Sequence, residues 1–409
     1  MKGPKRSKKY HRPGVIEKDV KKENLEEMDF ELTDEQRDIK KAAREFAEGM
    51  FPEVAEECDL NETFPRALWK KACDLGFVGV FIDGAYGGSG LGLLENILIM
   101  EEFSRVDAGC AGVVLATLGS EFILLYGREE QKRKYLPGLT KGETIMGMAI
   151  TEPDAGSDVA SITTTARKVK DHSVINGNKM FITNGSIADF IIVLCLTNEN
   201  EKVKSKRQSA ILVETNRKGF EANQLKRRLG MRGSDTAELH FSEVEVPSEN
   251  LVGEVEGEGF YQLMAVFNRT RVTVAVINVR VAQGGLEKAI QYAKQRKQFG
   301  SPIGSFQAIQ FKLAEMASWI EAARTLCHKA AWMVDHGRID PKLISMAKWF
   351  AGEVGVKVID EVVQIHGGYG YLGEFGIERL YRDVKLAEIV EGTKEIEKLI
   401  IARELLRRG

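Results

Sequence analysis

The chain has little of several features that mark particular protein classes. Its 409 residues contain five widely spaced cysteines, and no His/Cys spacing of a metal site. Basic and acidic side chains nearly cancel, 58 against 60, so no overall field favours nucleic acid. No apolar window of about eighteen residues, as a membrane span needs, is evident, and no secretion signal begins the chain. We therefore expect a cytoplasmic protein with reduced thiols, no membrane span and no nucleic-acid partner.

Motifs of the common hydrolases and metalloenzymes are also missing. The chain has no HExxH, no GxSxG and no Walker loop. What is present is a globular composition, with 43% hydrophobic and 29% charged residues. A chain of this length exceeds one ordinary core, so two or three packed units are expected.

Hydrophobic periodicity divides the chain into a tail and three regions. Residues 1–28 predict a flexible basic tail, with a transit peptide as the alternative and its role open. A helical domain is predicted over 29–147, short alternating strands over 148–262, and long helices over 263–409. The expected fold class is α+β, with an N-terminal helical domain, a middle β-barrel or sandwich, and a C-terminal helical bundle.

The most informative segment is residues 389–393, which offers a carboxylate on a turn before the last helix. Gly392 lets the backbone bend, and Thr393 can cap the helix that follows. The positive end of that helix favours an ionised Glu391, which makes this residue the candidate catalytic base. Read alone, a Glu before a capped helix is more often without a catalytic role.

Three further segments have both a functional and a plain interpretation. Residues 368–373 match GxGxxG but follow a helical pattern, so the Rossmann interpretation fails, although a phosphate contact stays open. Residues 151–158 are a polar loop at a domain junction, where ligand pockets concentrate. Arg296, in the segment 296–300, could bind a phosphate or simply favour a helix C-terminus. His366 could be an acid or base, but is more often structural beside glycines.

Taken in order, five segments resemble the acyl-CoA dehydrogenase family of flavoenzymes over residues 29–409. They are 148–158 (MAITEPDAGSD), 181–183 (FIT), 296–300 (RKQFG), 364–368 (QIHGG) and 391–393 (EGT). The resemblance implies the three-domain fold described above, assembled as a homotetramer, a dimer of dimers, with one FAD per subunit. It also implies electron transfer to electron-transfer flavoprotein.

The resemblance assigns FAD-binding positions in three groups. The flavin ring and the substrate entrance would contact Met148, Ile150, Thr151, Ser157, Phe181, Ile182 and Thr183. The pyrophosphate and adenosine, partly across a subunit interface, would contact Arg296, Gln298, Phe299, Phe306, Gln307, Gln364, Ile365, Gly367 and Gly368. Thr393 and Glu395 would complete the cofactor site.

The resemblance also implies α,β-dehydrogenation of an acyl-CoA thioester to the 2-enoyl-CoA, with Glu391 as base. Substrate contacts would come from Ser157, Asn268, Arg271, Val390, Glu391 and Gly392. Some relatives place the base at the position of Thr270, whose hydroxyl cannot do that work. Val390 stands where short- and medium-chain members commonly have Tyr, which is compatible with a branched, cyclic or aryl-bearing acyl group, or with drift compensated elsewhere.

Two other functions remain open on the sequence. An acyl-CoA oxidase would pass electrons to O₂ on the same fold, and a compact chain without a C-terminal extension disfavours it. A non-catalytic homologue could serve as a binding or assembly protein, and the intact Glu391 segment makes this improbable.

Overall fold

The computed structural model describes residues 31–407, so the predicted basic tail lies outside the described residues. The first region is helical, as expected. Thr33 opens it with a capping box: its hydroxyl accepts from the Gln36 N–H while the Gln36 side chain accepts from the Thr33 N–H. Its helices are α1 Asp34–Met50, α2 Ala55–Asn61, α3 Arg66–Asp74, α4 Leu93–Val106, α5 Ala108–Ala111, α6 Ser120–Tyr126 and α7 Glu129–Thr140.

The middle region forms one seven-stranded sheet, mostly antiparallel. Its strands are β1 Met146–Ala149, β2 Thr165–Val169, β3 His172–Thr183, β4 Phe190–Leu196, β5 Gln208–Glu214, β6 Phe220–Gln224 and β7 Thr236–Pro247. The order is β1-β4-β2-β3-β7-β6, with β5 also paired to β4. β4 runs parallel to β1 and β2, a detail that the strand pattern does not reveal. The predicted small β-domain is otherwise confirmed.

The last region is a bundle of long helices. They are α8 Gly259–Gln295, α9 Gln307–Asp335, α10 Pro341–His366, α11 Ile377–Val384 and α12 Lys394–Leu406, and a short hairpin of β8 Lys297–Gln298 and β9 Ser301–Pro302 joins α8 to α9. Asp340 caps α10, and Pro341 occupies the first helical turn, where its missing N–H costs nothing. The helical pattern thus begins at Gly259, a few residues before the expected position 263.

Three apolar clusters hold these layers together. The largest joins α1 to α5 with α8, α9 and α10. The other two lie on opposite faces of the sheet, because alternate residues of one strand point to opposite sides: Ile192 of β4 packs toward α6 and α7, while Ile191 and Val193 pack on the other face. The first of these two clusters also receives Val266 and Phe267 of α8, and so joins the sheet to the bundle.

One described stretch, Ala108–Tyr126, is long and apolar enough to cross a membrane by length and composition. The expectation that no window would reach this length is therefore wrong. The fold buries 78% of that window inside the protein, and Gly119 interrupts the stretch with a positive φ of 103°. It has the burial of a core segment of the folded chain.

Candidate active site

Glu391 lies on a strained turn that connects the bundle to α12. Its φ is +56°, an uncommon conformation for a residue with a Cβ, and Gly392 follows at φ +105°. A Cβ on Gly392 would collide with the carboxylate of Glu397. Thr393 then caps α12 through the Ile396 N–H, as predicted. The turn therefore depends on glycine at 392, and it points the Glu391 carboxyl toward α8.

Side chains from α8 and α10 form hydrogen bonds with this turn. The Thr270 hydroxyl donates to Glu391 Oε2 at 2.7 Å, and Arg271 Nε donates to the Glu391 carbonyl at 2.9 Å. Lys348 donates to the Gly392 carbonyl. Arg271 also lies 3.2 Å from the fully buried Glu397. The turn is thus fixed by several buried groups, which preserves its strained conformation.

The electrostatics of the turn correct one expectation. The helix start predicts an ionised Glu391, but burial raises the pKa of its carboxyl above the ordinary value, against the Thr270 hydrogen bond and the charges of Arg271 and Lys348. Burial likewise lowers the pKa of Lys348 to about 8. A carboxyl with a raised pKa is a stronger base once deprotonated.

The sheet presents a second set of predicted residues. Met148 and Ile150 are buried at the end of β1, and Thr151 and Ser157 lie in the loop that follows. The register of β3 against β7 shifts between Lys179 and Ile182, where Phe181 takes a φ of +60° and leaves 64% of its side chain exposed. The irregularity turns an aromatic ring out of the sheet. Ile182 is buried beside it, and Thr183 is half-buried.

Buried charges anchor the loop at 151–158. Lys179 is 1% exposed, and its ammonium donates to the Ile150 carbonyl at 3.0 Å and to Glu152 at 2.9 Å. Glu152 also accepts from the Thr163 and Thr164 N–H groups. Because Lys179, Glu152 and Thr164 are buried, the loop keeps a fixed position relative to β3.

A third set of predicted residues forms a separate cleft of about 580 Å³ at the far end of α8 and α10. Arg296, Gln298, Ile365, Gly367 and Gly368 line it; Gln307 and Gln364 lie exposed on α9 and α10, with Phe299 and Phe306 at the hairpin. None of the residues that line the cleft belongs to the seven-stranded sheet. The ring of His366 stacks on Tyr292 at 4.5 Å, and its Nδ1 contacts the Val362 carbonyl.

Several features of this cleft suit an anionic group. Arg296 is exposed, lies 5.5 Å from the ring of Tyr369, and forms no ion pair with any residue between 31 and 407. A Cβ on Gly367 or Gly368 would meet no atom within 4 Å, so both backbones face open space. An unpaired guanidinium beside bare backbone can receive phosphate oxygens.

The remaining predicted positions lie near the Glu391 turn. Asn268 and Val390 are half-buried, Arg271 is 6% exposed, and Glu395 is exposed on α12. Sequence reasoning missed Lys348 and Glu397. A Lys in α10 and a Glu in the first turn of α12 look like ordinary surface charges, and nothing local marks them as buried.

Comparisons with known proteins agree with this architecture. Family models for the N-terminal, middle and C-terminal domains of acyl-CoA dehydrogenases match residues 33–143, 147–244 and 257–406. An acyl-CoA dehydrogenase of Bacillus subtilis is 43% identical over 378 residues, 92% of this chain and 99% of that protein. Acryloyl-CoA reductase (NADH) of Anaerotignum propionicum is 40% identical over 392 residues, 95% of this chain and 99% of that protein.

The solved structures give the same result. A chain in the structure of the electron transferring flavoprotein of Acidaminococcus fermentans, a study of flavin-based electron bifurcation, superposes with a TM-score of 0.90 at 40% identity. The match covers 93% of this chain and 100% of that chain. With all three domain models in order and relatives at about 40% identity across the whole match, the chain belongs to the acyl-CoA dehydrogenase family of FAD-dependent oxidoreductases.

Proposed function

We propose that Glu391 is the base that removes the α-proton of an acyl-CoA thioester as the chain forms the 2-enoyl-CoA. The observation that carries the proposal is the Glu391 carboxyl, half-buried on a strained turn and hydrogen-bonded to Thr270 at 2.7 Å. When bound, FAD supplies the acceptor for the β-hydrogen, which leaves with its electron pair. The α-proton goes to Glu391, so protons and electrons balance.

The backbone of the same turn can bind the thioester carbonyl. Among residues 31–407, the Glu391 N–H has no hydrogen-bond partner, so it is free to donate. Arg271 donates to the Glu391 carbonyl, and this fixes the peptide plane next to the base. An amide held in place stabilises negative charge that develops on the carbonyl oxygen. Asn268, Gly392 and Ser157 are proposed as further substrate contacts.

The three sets of residues fit FAD. The exposed Phe181 ring, with Met148, Ile150, Thr151, Ser157, Ile182 and Thr183 around it, would contact the flat ring system. The cleft of Arg296, Gln298, Gln307, Gln364, Gly367 and Gly368, with Phe299, Phe306 and Ile365, would hold the pyrophosphate and adenosine. Thr393 and Glu395 would complete the site. Because the cleft and the sheet residues are separate within one chain, one cofactor would contact two subunits.

The exposed apolar residues around that cleft support a homotetramer. Phe299 is 96% exposed, Tyr371 84% and Phe311 62%, far more than a chain without partners needs to present to water. Burying such side chains against a second copy stabilises an assembly and closes the cleft at once. The proposed location is the cytoplasm, which the five buried free cysteines favour.

The proposed electron acceptor is electron-transfer flavoprotein, because the matching chain from Acidaminococcus fermentans belongs to a structure of an electron transferring flavoprotein. The reverse reaction is the second candidate, since one relative is an acryloyl-CoA reductase. The same residues serve both directions, with a protonated Glu391 returning its proton to the α-carbon. An oxidase using O₂ is a third candidate, which air-dependent turnover would reveal.

The test is anaerobic mixing of the yellow holoenzyme with a panel of straight, branched, cyclic and dicarboxylic acyl-CoAs, while flavin absorbance is followed. We expect rapid bleaching, fastest with a branched, cyclic or aryl-bearing group, because Val390 leaves room beside the base. Purified electron-transfer flavoprotein should restore the colour. No bleaching by any thioester would contradict the proposed function.

A further inference from the structure

Glu121 in α6 is a buried carboxyl that the proposed reaction does not use. Its side chain is 7% exposed, and Oε2 has no hydrogen-bond partner among the described residues. The hydroxyl of the neighbouring Ser120, fully buried, also lacks a partner. Leaving buried polar groups unpaired is costly, and native structures do it rarely. Two such groups side by side indicate that something else supplies their partner.

The surroundings place Glu121 at the candidate active site. Gly119, two residues earlier, packs so closely on β1 that a Cβ there would lie 3.2 Å from Met148. Phe122 shares an apolar cluster with Met148, Ile150 and Phe267 of α8. The helix that carries Glu121 therefore lies against the end of β1 and against the turn of α8 that precedes Thr270.

Two charged groups act on Glu121 from the elements around it. Burial raises the pKa of its carboxyl to about 7; the charge of Arg269 on α8 opposes the increase, and the charge of Glu391 adds to it. The two carboxyls are thus close enough to interact. Near neutral pH, Glu121 is present in both protonation states, and it can accept or donate a hydrogen bond.

This charge pattern selects among ligand groups. A second carboxylate would be repelled by both Glu121 and Glu391. An ammonium beside Glu391 would lower the basicity that α-proton removal needs. A hydrocarbon would leave Oε2 unpaired. A hydroxyl carries no charge, and it can pair with the carboxyl in either protonation state.

We propose that Glu121 is a specificity-determining residue that hydrogen-bonds a hydroxyl group on the far part of the acyl chain. This inference rests on the proposed function and names its substrate class: hydroxylated acyl-CoA thioesters. Glu121 recognises the substrate and takes no part in the transfer of the α-proton or the β-hydrogen.

The first test uses the wild-type holoenzyme and two matched substrate pairs: 5-hydroxypentanoyl-CoA against pentanoyl-CoA, and 3-(4-hydroxyphenyl)propanoyl-CoA against 3-phenylpropanoyl-CoA. In at least one pair, the hydroxylated thioester should give a kcat/KM for flavin reduction that is about tenfold higher or more, because a site built to bind a hydroxyl rejects the analogue that lacks it. Equal or lower values for both hydroxylated thioesters would overturn the inference.

The second test compares Glu121→Leu and Glu121→Gln. Leucine should abolish the hydroxyl preference, whereas glutamine should keep part of it, since the amide still forms hydrogen bonds. Glu130→Leu, at an exposed position of α7, is the matched control and should keep the wild-type ratio. A ratio unchanged in Glu121→Leu that retains FAD would overturn the inference. If none of these four thioesters and no member of the acyl-CoA panel bleached the flavin, the proposed function would fail with it; bleaching without hydroxyl preference overturns the inference alone.

Discussion

Two groups of glutamates in this protein have pKa values that are shifted in opposite directions by their surroundings. Glu101 and Glu102 of α4 are fully buried, and burial alone would raise the pKa of both. His328 at 2.8 Å and the charges of Arg280 and Lys40 instead hold the pKa of Glu101 below its ordinary value. Glu121 is also buried and Glu391 is half-buried, but the pKa values of both are raised.

The difference lies in the number of cations that contact each carboxylate. Glu102 alone contacts Arg44 at 2.9 Å, Arg280 at 3.0 Å and Arg105 at 3.1 Å. The Glu391 carboxylate accepts one hydrogen bond from a hydroxyl and forms no ion pair among the described residues. Full pairing makes a carboxylate a structural link between α1, α4 and α8. Incomplete pairing leaves it basic, which is the property that proton transfer requires.

Breaking the paired group should give the largest effect on stability. Arg280→Met leaves two buried carboxylates with fewer cations, and we expect the free energy of unfolding to fall by about 3–5 kcal/mol. Denaturant unfolding measures it. Arg37→Met, at an exposed ion pair of α1, is the control and should change little. A loss as small as that of the control would show that the α4 glutamates are not held by pairing.

The comparison extends to cations, because Arg280 is paired and buried whereas Arg296 is exposed and has no ion pair within residues 31–407. Arg296→Ala should weaken FAD retention and the tetramer together, by about 2 kcal/mol, if phosphate oxygens are its partners. Flavin content and elution volume after gel filtration are the readouts. A fully yellow tetramer from the variant would return Arg296 to a simple helix-end role.

The space beside the underpaired base gives a smaller effect. Val390→Tyr adds a ring there, so the kcat/KM ratio of a cyclic or branched thioester over butyryl-CoA should fall about tenfold, within the 1–3 kcal/mol expected from steric overlap. Val390→Ile, which keeps a branched aliphatic side chain, is the control. The same ratio in wild type and Val390→Tyr, with FAD bound, would show that residue 390 does not shape the acyl pocket.

The smallest effect is on pH dependence. Thr270→Val removes the hydrogen bond that lowers the pKa of Glu391, so the acidic limb of kcat/KM should move to higher pH. Flavin-reduction rates across pH measure the shift. An unmoved limb would mean that the limb reports another group.

Local signals predicted much of the fold. Thr33, Asp340 and Thr393 cap their helices as their sequence context indicates, because a cap depends on neighbours a few residues away. The burial of Glu397 and Lys348 depends on how α10 and α12 pack, so no local pattern reveals it. For the same reason the sequence did not predict that the pKa of Glu391 is raised: the helix dipole is visible in the sequence, and desolvation is not.

The most direct test of the account compares Glu391→Gln with Glu101→Gln. Glu391→Gln should reduce the rate of flavin reduction by roughly a thousandfold or more, since the amide cannot accept the α-proton. The raised pKa of Glu391 stabilises the fold fully at pH values below its unfolded-state pKa. This stabilisation is lost as pH rises through the folded-state pKa. Glu391→Gln should therefore unfold no more easily than wild type at neutral pH.

Glu101→Gln should do the reverse, losing stability while any folded holoenzyme still reduces its flavin. The measurement is anaerobic stopped-flow bleaching by the best acyl-CoA, with thermal unfolding on the same samples. Flavin reduction by Glu391→Gln within tenfold of wild type would contradict the account and require another residue as the base.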